Sequence, residues 1–247
     1  MDAKEIIKNH TVIDGNIARL TCSQLDRKLY LEVAKLFNVI GGKWKGGKVQ
    51  GFVFNTPPNE LLKSLTGMES SNPKKDFQFF ETPDDLANIL VEKANLKKDD
   101  RVLEPSAGRG AIIRAIHRLH PEMIVNYCEI METNLLVLKN MACTYCVCKD
   151  VIFLPSYVFV PFDKIIANPP FAKNQDIDHI RVMYDLLSDS GKLVSIASNH
   201  WKCSSNKKET EFREWLGEVN ADVEEVASGT FKESGTSIGG NIITIKK

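Results

Sequence analysis

Two adjacent prolines, Pro169 and Pro170, close the apolar run Phe162-Asp163-Lys164-Ile165-Ile166-Ala167 and dictate what the chain does there. A short apolar run rich in β-branched residues reads as a buried strand. Proline fixes its own φ, has no amide hydrogen to donate, and pushes the preceding residue out of the helical region. The backbone must therefore leave the sheet at Asn168, turn sharply and stay rigid. Such a corner leaves the Asn168 carboxamide oxygen and the Pro169 carbonyl free to accept from one NH2 group. Phe171 adds a flat face for a planar base or amide. A plain turn after a strand is the other reading, and the tetrapeptide alone does not separate the two.

A second segment narrows the choice. Arg101-Val102-Leu103-Glu104-Pro105-Ser106-Ala107-Gly108-Arg109-Gly110-Ala111-Ile112-Ile113 reads as a strand, a glycine turn and a helix start. Open α/β sheets bind ligands beyond the carboxyl ends of their strands, where strand order reverses. Gly108 and Gly110 let the backbone approach a ligand with no Cβ in the way. Glu104, at the strand end, can accept from a ligand ammonium or a water. The competing reading is a dinucleotide site, since Gly108-x-Gly110 begins that fingerprint. Ile113 stands where its third glycine would be, and Glu104-Pro105-Ser106 is foreign to it.

Strand and helix patterns alternate beyond residue 77, as in a mainly parallel sheet. Helices are expected from Pro83 to Ala94, Gly110 to Leu119, Glu132 to Ala142, Gln175 to Leu187 and Thr210 to Val219. Strands are expected over Ile124 to Cys128, Lys192 to Ala197 after Gly191, Asp222 to Ser228 and Asn241 to Ile245.

Taken together, these segments resemble the class I S-adenosylmethionine-dependent methyltransferases, in the amino-methylating branch that includes adenine-specific DNA methyltransferases. The resemblance covers residues 77–247 and implies an α/β fold with a Rossmann-like sheet, mostly parallel with an antiparallel last strand. It implies S-adenosylmethionine as cofactor. Phe80-Glu81-Thr82-Pro83 is similar to the segment that the family sets against the methionine end of the cofactor, which makes Phe80, Thr82 and Pro83 candidates for binding it. Leu103 to Gly110 resembles the glycine-rich cofactor loop, with Glu104, Ser106, Ala107, Gly108 and Gly110 as its contacts. Glu129, followed by Ile130, resembles the acidic residue that binds both ribose hydroxyls. Asp150 resembles the residue facing the adenine amino group, with Val151 and Ile152 packing nearby. Asn168, Pro169, Pro170 and Phe171 match the catalytic motif, and Asn168 is expected to touch the cofactor too.

Phe231 lies where the family often sets a second aromatic wall against the substrate; a core aromatic is the alternative. His200 and Trp201 follow the fifth strand at the same sheet edge and are candidates to line the pocket. His179 is expected to cap or pack the helix after Phe171, and Trp215 to join the core.

The first quarter reads as a separate small α+β module over residues 1–65, joined by a polar linker over 66–76 to the main domain, 77–247. Asn16 to Thr21 is an expected strand, and Ser23 an expected N-cap for a helix from Gln24 to Phe37. Its Leu25, Leu29, Val33 and Leu36 share one face, and Gly41-Gly42 ends it. Lys43 to Phe54 then reads as a hairpin turning near Gly46-Gly47. Lys43, Trp44 and Lys45 on that hairpin are candidates to contact phosphates and a base. Packing of Trp44, Phe52 and Phe54 against the helix is the alternative.

Charge balances at 32 basic and 32 acidic residues, so no global field announces a polyanion. Residues 1–78 nonetheless carry 12 Lys/Arg and 8 Asp/Glu, a surplus of +4, against 20 and 24 in the remainder. A basic appendage on an acidic body fits a nucleic-acid substrate. With no targeting segment at Met1-Asp2-Ala3-Lys4-Glu5 and no apolar run near the ~20 residues that span a bilayer, a cytoplasmic protein is expected. Six cysteines need not pair in that compartment. Cys143-x-x-Cys146-x-Cys148 is half a zinc pattern with nothing to complete it, so no metal is expected and the thiols read as buried.

The activity implied by the resemblance is methyl transfer to the 6-amino group of adenine in DNA. An RNA adenine or a protein glutamine amide presents a similar planar NH2 group. A non-catalytic cofactor- or nucleic-acid-binding protein is the alternative of another class. Sequence-choosing enzymes of this branch usually carry a large recognition domain, and nothing of that size follows Phe231. Relaxed preference, a protein partner or the Lys43 to Phe54 hairpin is expected to fill that role.

Overall fold

The structure, a computed structural model, describes residues 2–22, 24–67, 81–156, 160–226 and 239–247. The chain divides into two compact units: Met1–Pro73 with Met131–Met141, and Lys74–Ile130 with Ala142–Lys247.

The first unit holds helix α1 (Ala3–Asn9), strands β1 (Thr11–Asp14) and β2 (Ile17–Leu20), helix α2 (Arg27–Val39), strands β3 (Lys43–Lys45) and β4 (Gly51–Val53), and helix α3 (Asn59–Gly67). Its four strands form an antiparallel sheet ordered β1-β2-β4-β3. α1 starts with a reciprocal cap in which Asp2 accepts from the Glu5 amide and Glu5 accepts from the Asp2 amide. The core joins Ile6, Ile7, Val33, Phe37, Phe52, Phe54 and Leu61, with the Phe37 and Phe52 rings stacked at 4.3 Å. Gly42 lies so close to Phe54 that a Cβ there would sit 2.6 Å from the ring, which is why a glycine occupies the end of α2.

The expected helix of this unit begins later than Gln24, because Asp26 caps it, its carboxylate accepting from the Leu29 amide at 3.0 Å. Ser23 and residues 68–76 of the expected linker lie outside the described residues. A further correction concerns helix α6 (Glu132–Leu138), which sequence reading placed within the main domain. Val137 and Leu136 instead join the first unit's apolar cluster, with α6 against α3.

The second unit is a seven-stranded sheet ordered β10-β11-β9-β8-β5-β6-β7. Its strands are β5 (Val102–Glu104), β6 (Val125–Cys128), β7 (Thr144–Cys148), β8 (Phe162–Ala167), β9 (Leu187–Ala197), β10 (Asp222–Val226) and β11 (Gly240–Lys246). β5 to β9 pair in parallel, and β11 runs antiparallel to both β9 and β10. This is the expected mostly parallel sheet. Strand β9 starts five residues before Lys192, with Gly191 inside it rather than ahead of it. Helices α4 (Asp84–Ala94) and α5 (Ala111–Leu119) pack together and bury Leu86, Leu90, Ile112 and Ile116. Helix α7 (Gln175–Asp185) packs on β9 and on the 3-10 turn Val151–Ser156, contributing Ile177, Ile180 and Met183 to a core with Ile165, Ala167 and Leu193. Helices α8 (His200–Cys203) and α9 (Lys207–Glu218) complete the unit. Among the described residues no helix is long and apolar enough to cross a membrane.

Candidate active site

Strand order brings the candidate residues together. β8, β5, β6 and β7 are consecutive neighbours, so their carboxyl ends lie in a row roughly 4.8 Å apart. Asn168 follows β8, Glu104 ends β5, Glu129 follows β6, and Asp150 comes two residues after β7. From β5 the chain progresses outward through β6 to β7, then crosses to β8 on the other side. The gap between β5 and β8 is therefore the switch point at which open α/β sheets hold ligands.

The turn after β5 is shaped by glycine. Gly108 and Gly110 have φ of 55° and 76°, the left-handed region that an L side chain resists. Gly110 thereby starts α5, and the Gly108 amide donates to Glu129 Oε2 at 2.7 Å. Ala107 donates to the Cys128 carbonyl at 3.0 Å, locking the turn to the end of β6. Glu104 is 2 % exposed, and its Oε2 has no hydrogen-bond partner among the described residues. Burial pushes its carboxyl well above the ordinary range; Arg114 and the Ile113 amide pull it back in part, and Glu129 adds to the rise.

The Asn168 corner is held from one side only. Asn168 Nδ2 donates to Thr82 Oγ1 at 3.0 Å, while Asn168 Oδ1 is buried with no partner among the described residues. Pro169 is buried; Pro170 and Phe171 are half-buried. Lys173 and Asn174 both take positive φ, 53° and 59°, and reverse the chain into α7. Asn174 is tied to Glu209 at 2.8 Å, and the buried Asp176 accepts from the Ser198 amide at 2.9 Å. Sequence reading passed over these two, since neither belongs to a motif and each acts through a strand or helix far along the chain.

It also passed over a clamp on Glu81, whose carboxylate pairs with Arg109 at 3.8 Å and Arg114 at 3.4 Å. Arg114 further donates to the Arg109 carbonyl at 2.6 Å.

Other candidates fall in several places. Thr82 is buried and Pro83 sits at the N-cap of α4. Ser106 is half-buried and Ala107 buried. Ile130 is half-exposed and Ile152 partly so, whereas Val151 is buried in the core with Leu154. His200 is exposed, but Trp201 is not a pocket wall: its indole is 5 % exposed and packs edge-on against Phe212 at 5.4 Å in the core. α8 turns that side chain inward under α9. His179 is buried on α7, which depresses its basicity, and Trp215 packs partly buried against the core. Cys143 and Cys146 are exposed rather than buried: Cys143 precedes β7, the outermost strand of the sheet, and Cys146 lies within it, whereas Val147 and Cys148 of that strand pack partly buried against the core. All six cysteines are free, and among the described residues no group of three or more His, Cys, Asp or Glu could hold a metal. Phe80 and Phe231 lie outside the described residues.

Lys43, Trp44 and Lys45 belong to the first unit, on its edge strand β3. Both lysines are exposed. Trp44 is half-exposed and meets Phe52 and Tyr30 edge-on at 5.1 and 6.3 Å, while Phe52 and Phe54 are buried.

This sheet order and this row of strand ends define a class I S-adenosylmethionine-dependent methyltransferase, whose cofactor is S-adenosylmethionine. The chain belongs to the methyltransferase small domain family, whose profile matches residues 80–228. Similar solved structures include the type I restriction-modification system methyltransferase subunit from Streptococcus thermophilus, at 17% identity over 75% of this chain and 52% of that one, with a TM-score of 0.58. TrmN from Thermus thermophilus is 18% identical over 81% of this chain and 57% of its own, with a TM-score of 0.51. A putative RNA methyltransferase from Pyrococcus horikoshii is 17% identical over 76% of this chain and 98% of its own, with a TM-score of 0.52. At such identities the likeness is one of fold. The chain spans about half the length of the Streptococcus subunit. No curated protein sequence matches it.

The residues present fit the cofactor. When bound, S-adenosylmethionine supplies a methyl group already activated on a sulfonium. Glu104 Oε2, buried with no hydrogen-bond partner among the described residues, could accept from an ammonium, and glycines at 108 and 110 place no side chain beside it. Glu129 and Asp150 offer carboxylates at successive strand ends, flanked by the uncovered apolar side chains of Ile130 and Ile152.

Proposed function

We propose that this chain methylates the exocyclic 6-amino group of adenine in DNA, as a cytoplasmic enzyme. The observation that carries the reading is the Asn168 carboxamide, its nitrogen taken by Thr82 and its oxygen buried without a partner among the described residues. An amino group is the natural donor to that oxygen.

In this reading Asn168 Oδ1 and the Pro169 carbonyl accept the two amino hydrogens and draw them out of the ring plane. The nitrogen lone pair, otherwise delocalised into the ring, becomes available for attack. Positive charge develops on that nitrogen, so both hydrogen bonds strengthen toward the transition state. Phe171 stacks on the base, and the proline corner holds the acceptors at near-attack geometry. No strong base is required, because the charged product loses its proton readily. When the cofactor binds, Glu104 would hold its ammonium, Glu129 its ribose hydroxyls and Asp150 its adenine amino group. In a duplex the target base must leave the stack, at a cost of a few kcal/mol.

Incubation with methyl-labelled S-adenosylmethionine and separate DNA, RNA and protein pools tests the substrate. Label recovered as N6-methyladenine in DNA is expected; label confined to RNA or protein overturns the DNA assignment.

Lys43 and Lys45 are proposed to touch phosphates. Lysines on an uncovered edge strand also guard against edge-to-edge pairing, so the two roles need separating. Replacing both with alanine should weaken DNA binding uniformly and reduce the salt slope of log K by about two. An unchanged slope assigns them to edge protection. Point variants are preferred to truncation at residue 75, which would uncover Val137 of α6. Sequence recognition by a separate protein partner completes the proposal.

A further inference from the structure

We infer that Thr82 is a positioning residue for methyl transfer, its hydroxyl fixing which end of the Asn168 carboxamide faces the amine. This deepens the proposed function and rests on Asn168 acting as the acceptor.

A carboxamide is nearly symmetric in shape but opposite in chemistry at its two ends. Rotating it by a half turn exchanges an acceptor oxygen for a donor NH2. With Nδ2 toward an incoming amine, donor would face donor and the site would be inactive. Something must hold the productive orientation, and in the structure that contact is Asn168 Nδ2 to Thr82 Oγ1 at 3.0 Å. A hydroxyl can serve either end of an amide. Once an amine occupies the other side, however, only Oδ1-outward satisfies both groups, and Thr82 supplies the acceptor that Nδ2 then needs. A buried amide nitrogen without that acceptor would tilt to find another partner, carrying Oδ1 away from the attack line.

Thr82 is itself well placed to act as a fixed point. It is 8 % exposed, and the following proline confines its backbone to the extended region. The residue before it, Glu81, is gripped by Arg109 of the glycine turn and by Arg114 of α5. One short segment thus ties the glycine turn to the catalytic corner, although the two lie some sixty residues apart in sequence. Binding the methionine end of the cofactor, the role implied for Thr82 by resemblance, would draw on the same hydroxyl and would show as a raised cofactor Kd when that hydroxyl is removed.

Thr82→Val and Thr82→Ser separate the two roles. In full-length protein at saturating cofactor and DNA, Thr82→Val should lower kcat about ten- to hundred-fold, the penalty of a misplaced reacting group. Calorimetric cofactor Kd should change by less than about twofold, and Thr82→Ser should restore most of the rate. Added to Asn168→Ala, Thr82→Val should cause no further loss, since its effect passes through the carboxamide. Thr82→Ala serves as a second variant if the valine methyl prevents folding. A raised cofactor Kd with unchanged kcat overturns the inference, as do multiplying losses in the double variant. Failure of the underlying reading is distinguishable: label in RNA or protein changes the substrate and leaves the Thr82 pattern intact. A fully active Asn168→Ala removes the acceptor role and this inference with it.

Discussion

Asn168→Ala is expected to lower kcat by about a hundred- to a thousand-fold, the loss seen when one group that stabilises developing charge is removed. The magnitude follows from where the hydrogen bond acts. An adenine amino group binds few protons because its lone pair belongs to the ring, and only a pyramidal nitrogen attacks well. Oδ1 is already buried, with no partner among the described residues, so little reorganisation is needed when the amine arrives. In water the same contact would be weakened by competition and screening. Cofactor affinity should remain nearly intact, since the strand ends of β5, β6 and β7 are untouched. Removing the carboxamide leaves the Thr82 hydroxyl without its donor, a small cost to stability. Single-turnover kinetics with pre-bound cofactor is the measurement that checks it, and a variant with wild-type rate would remove Asn168 from the chemistry.

Glu104→Gln should separate stability from binding. Burial raises the folded-state pKa of Glu104 above its unfolded value. A group shifted in that direction favours the fold fully below the unfolded pKa, and that contribution is lost as pH rises through the folded one. The cofactor-free wild type should therefore lose stability across that window, while the glutamine variant, which cannot ionise, should not. On the alkaline side Glu104→Gln should melt higher than wild type; at acid pH the two should converge. Binding should move oppositely. The ionised carboxylate is the form that attracts an ammonium, so wild-type affinity for S-adenosylmethionine should rise with pH through the same titration. The glutamine variant should bind about 2 kcal/mol or more weaker, roughly thirty-fold, with a flatter profile. Differential scanning calorimetry from about pH 4, near the unfolded glutamate pKa, to about pH 9 reads the first arm. Titration calorimetry below about pH 7.5, where the cofactor's α-ammonium stays charged, reads the second. Equal affinity and equal pH dependence in the two proteins would place the ammonium elsewhere.

Local chemistry made much of this fold legible. Strand β8 begins and ends where the apolar run and the two prolines require, because proline acts on its own residue and the one before it. Gly108 and Gly110 take the positive φ that only a glycine adopts without strain. Alternation of strand and helix was enough to expect a parallel sheet with helices packed on it. Errors arose where the outcome depends on what lies across space. Cys143 and Cys146 read as buried thiols, but they lie just before and within β7, the last strand of its sheet, and are exposed. Trp201 follows a strand end at the right edge, yet α9 supplies Phe212 to bury it. Helix α6 has the pattern of any crossover helix, and only its apolar partners assign it to the first unit.

The amino-acid sequence by itself determined the rigid corner at Asn168 and the glycine turn after Glu104, since each is written within a few neighbouring residues; Glu129 and Asp150 stood out only through the family resemblance. Tertiary structure alone decided the lateral order of strands that sets those ends in one row. It also decided the contact between Thr82 and Asn168, and the burial that leaves Glu104 and Asn168 each with an oxygen unsatisfied among the described residues. Desolvation and hydrogen-bond completion are properties of what surrounds an atom, and those surroundings come from residues distant in the chain.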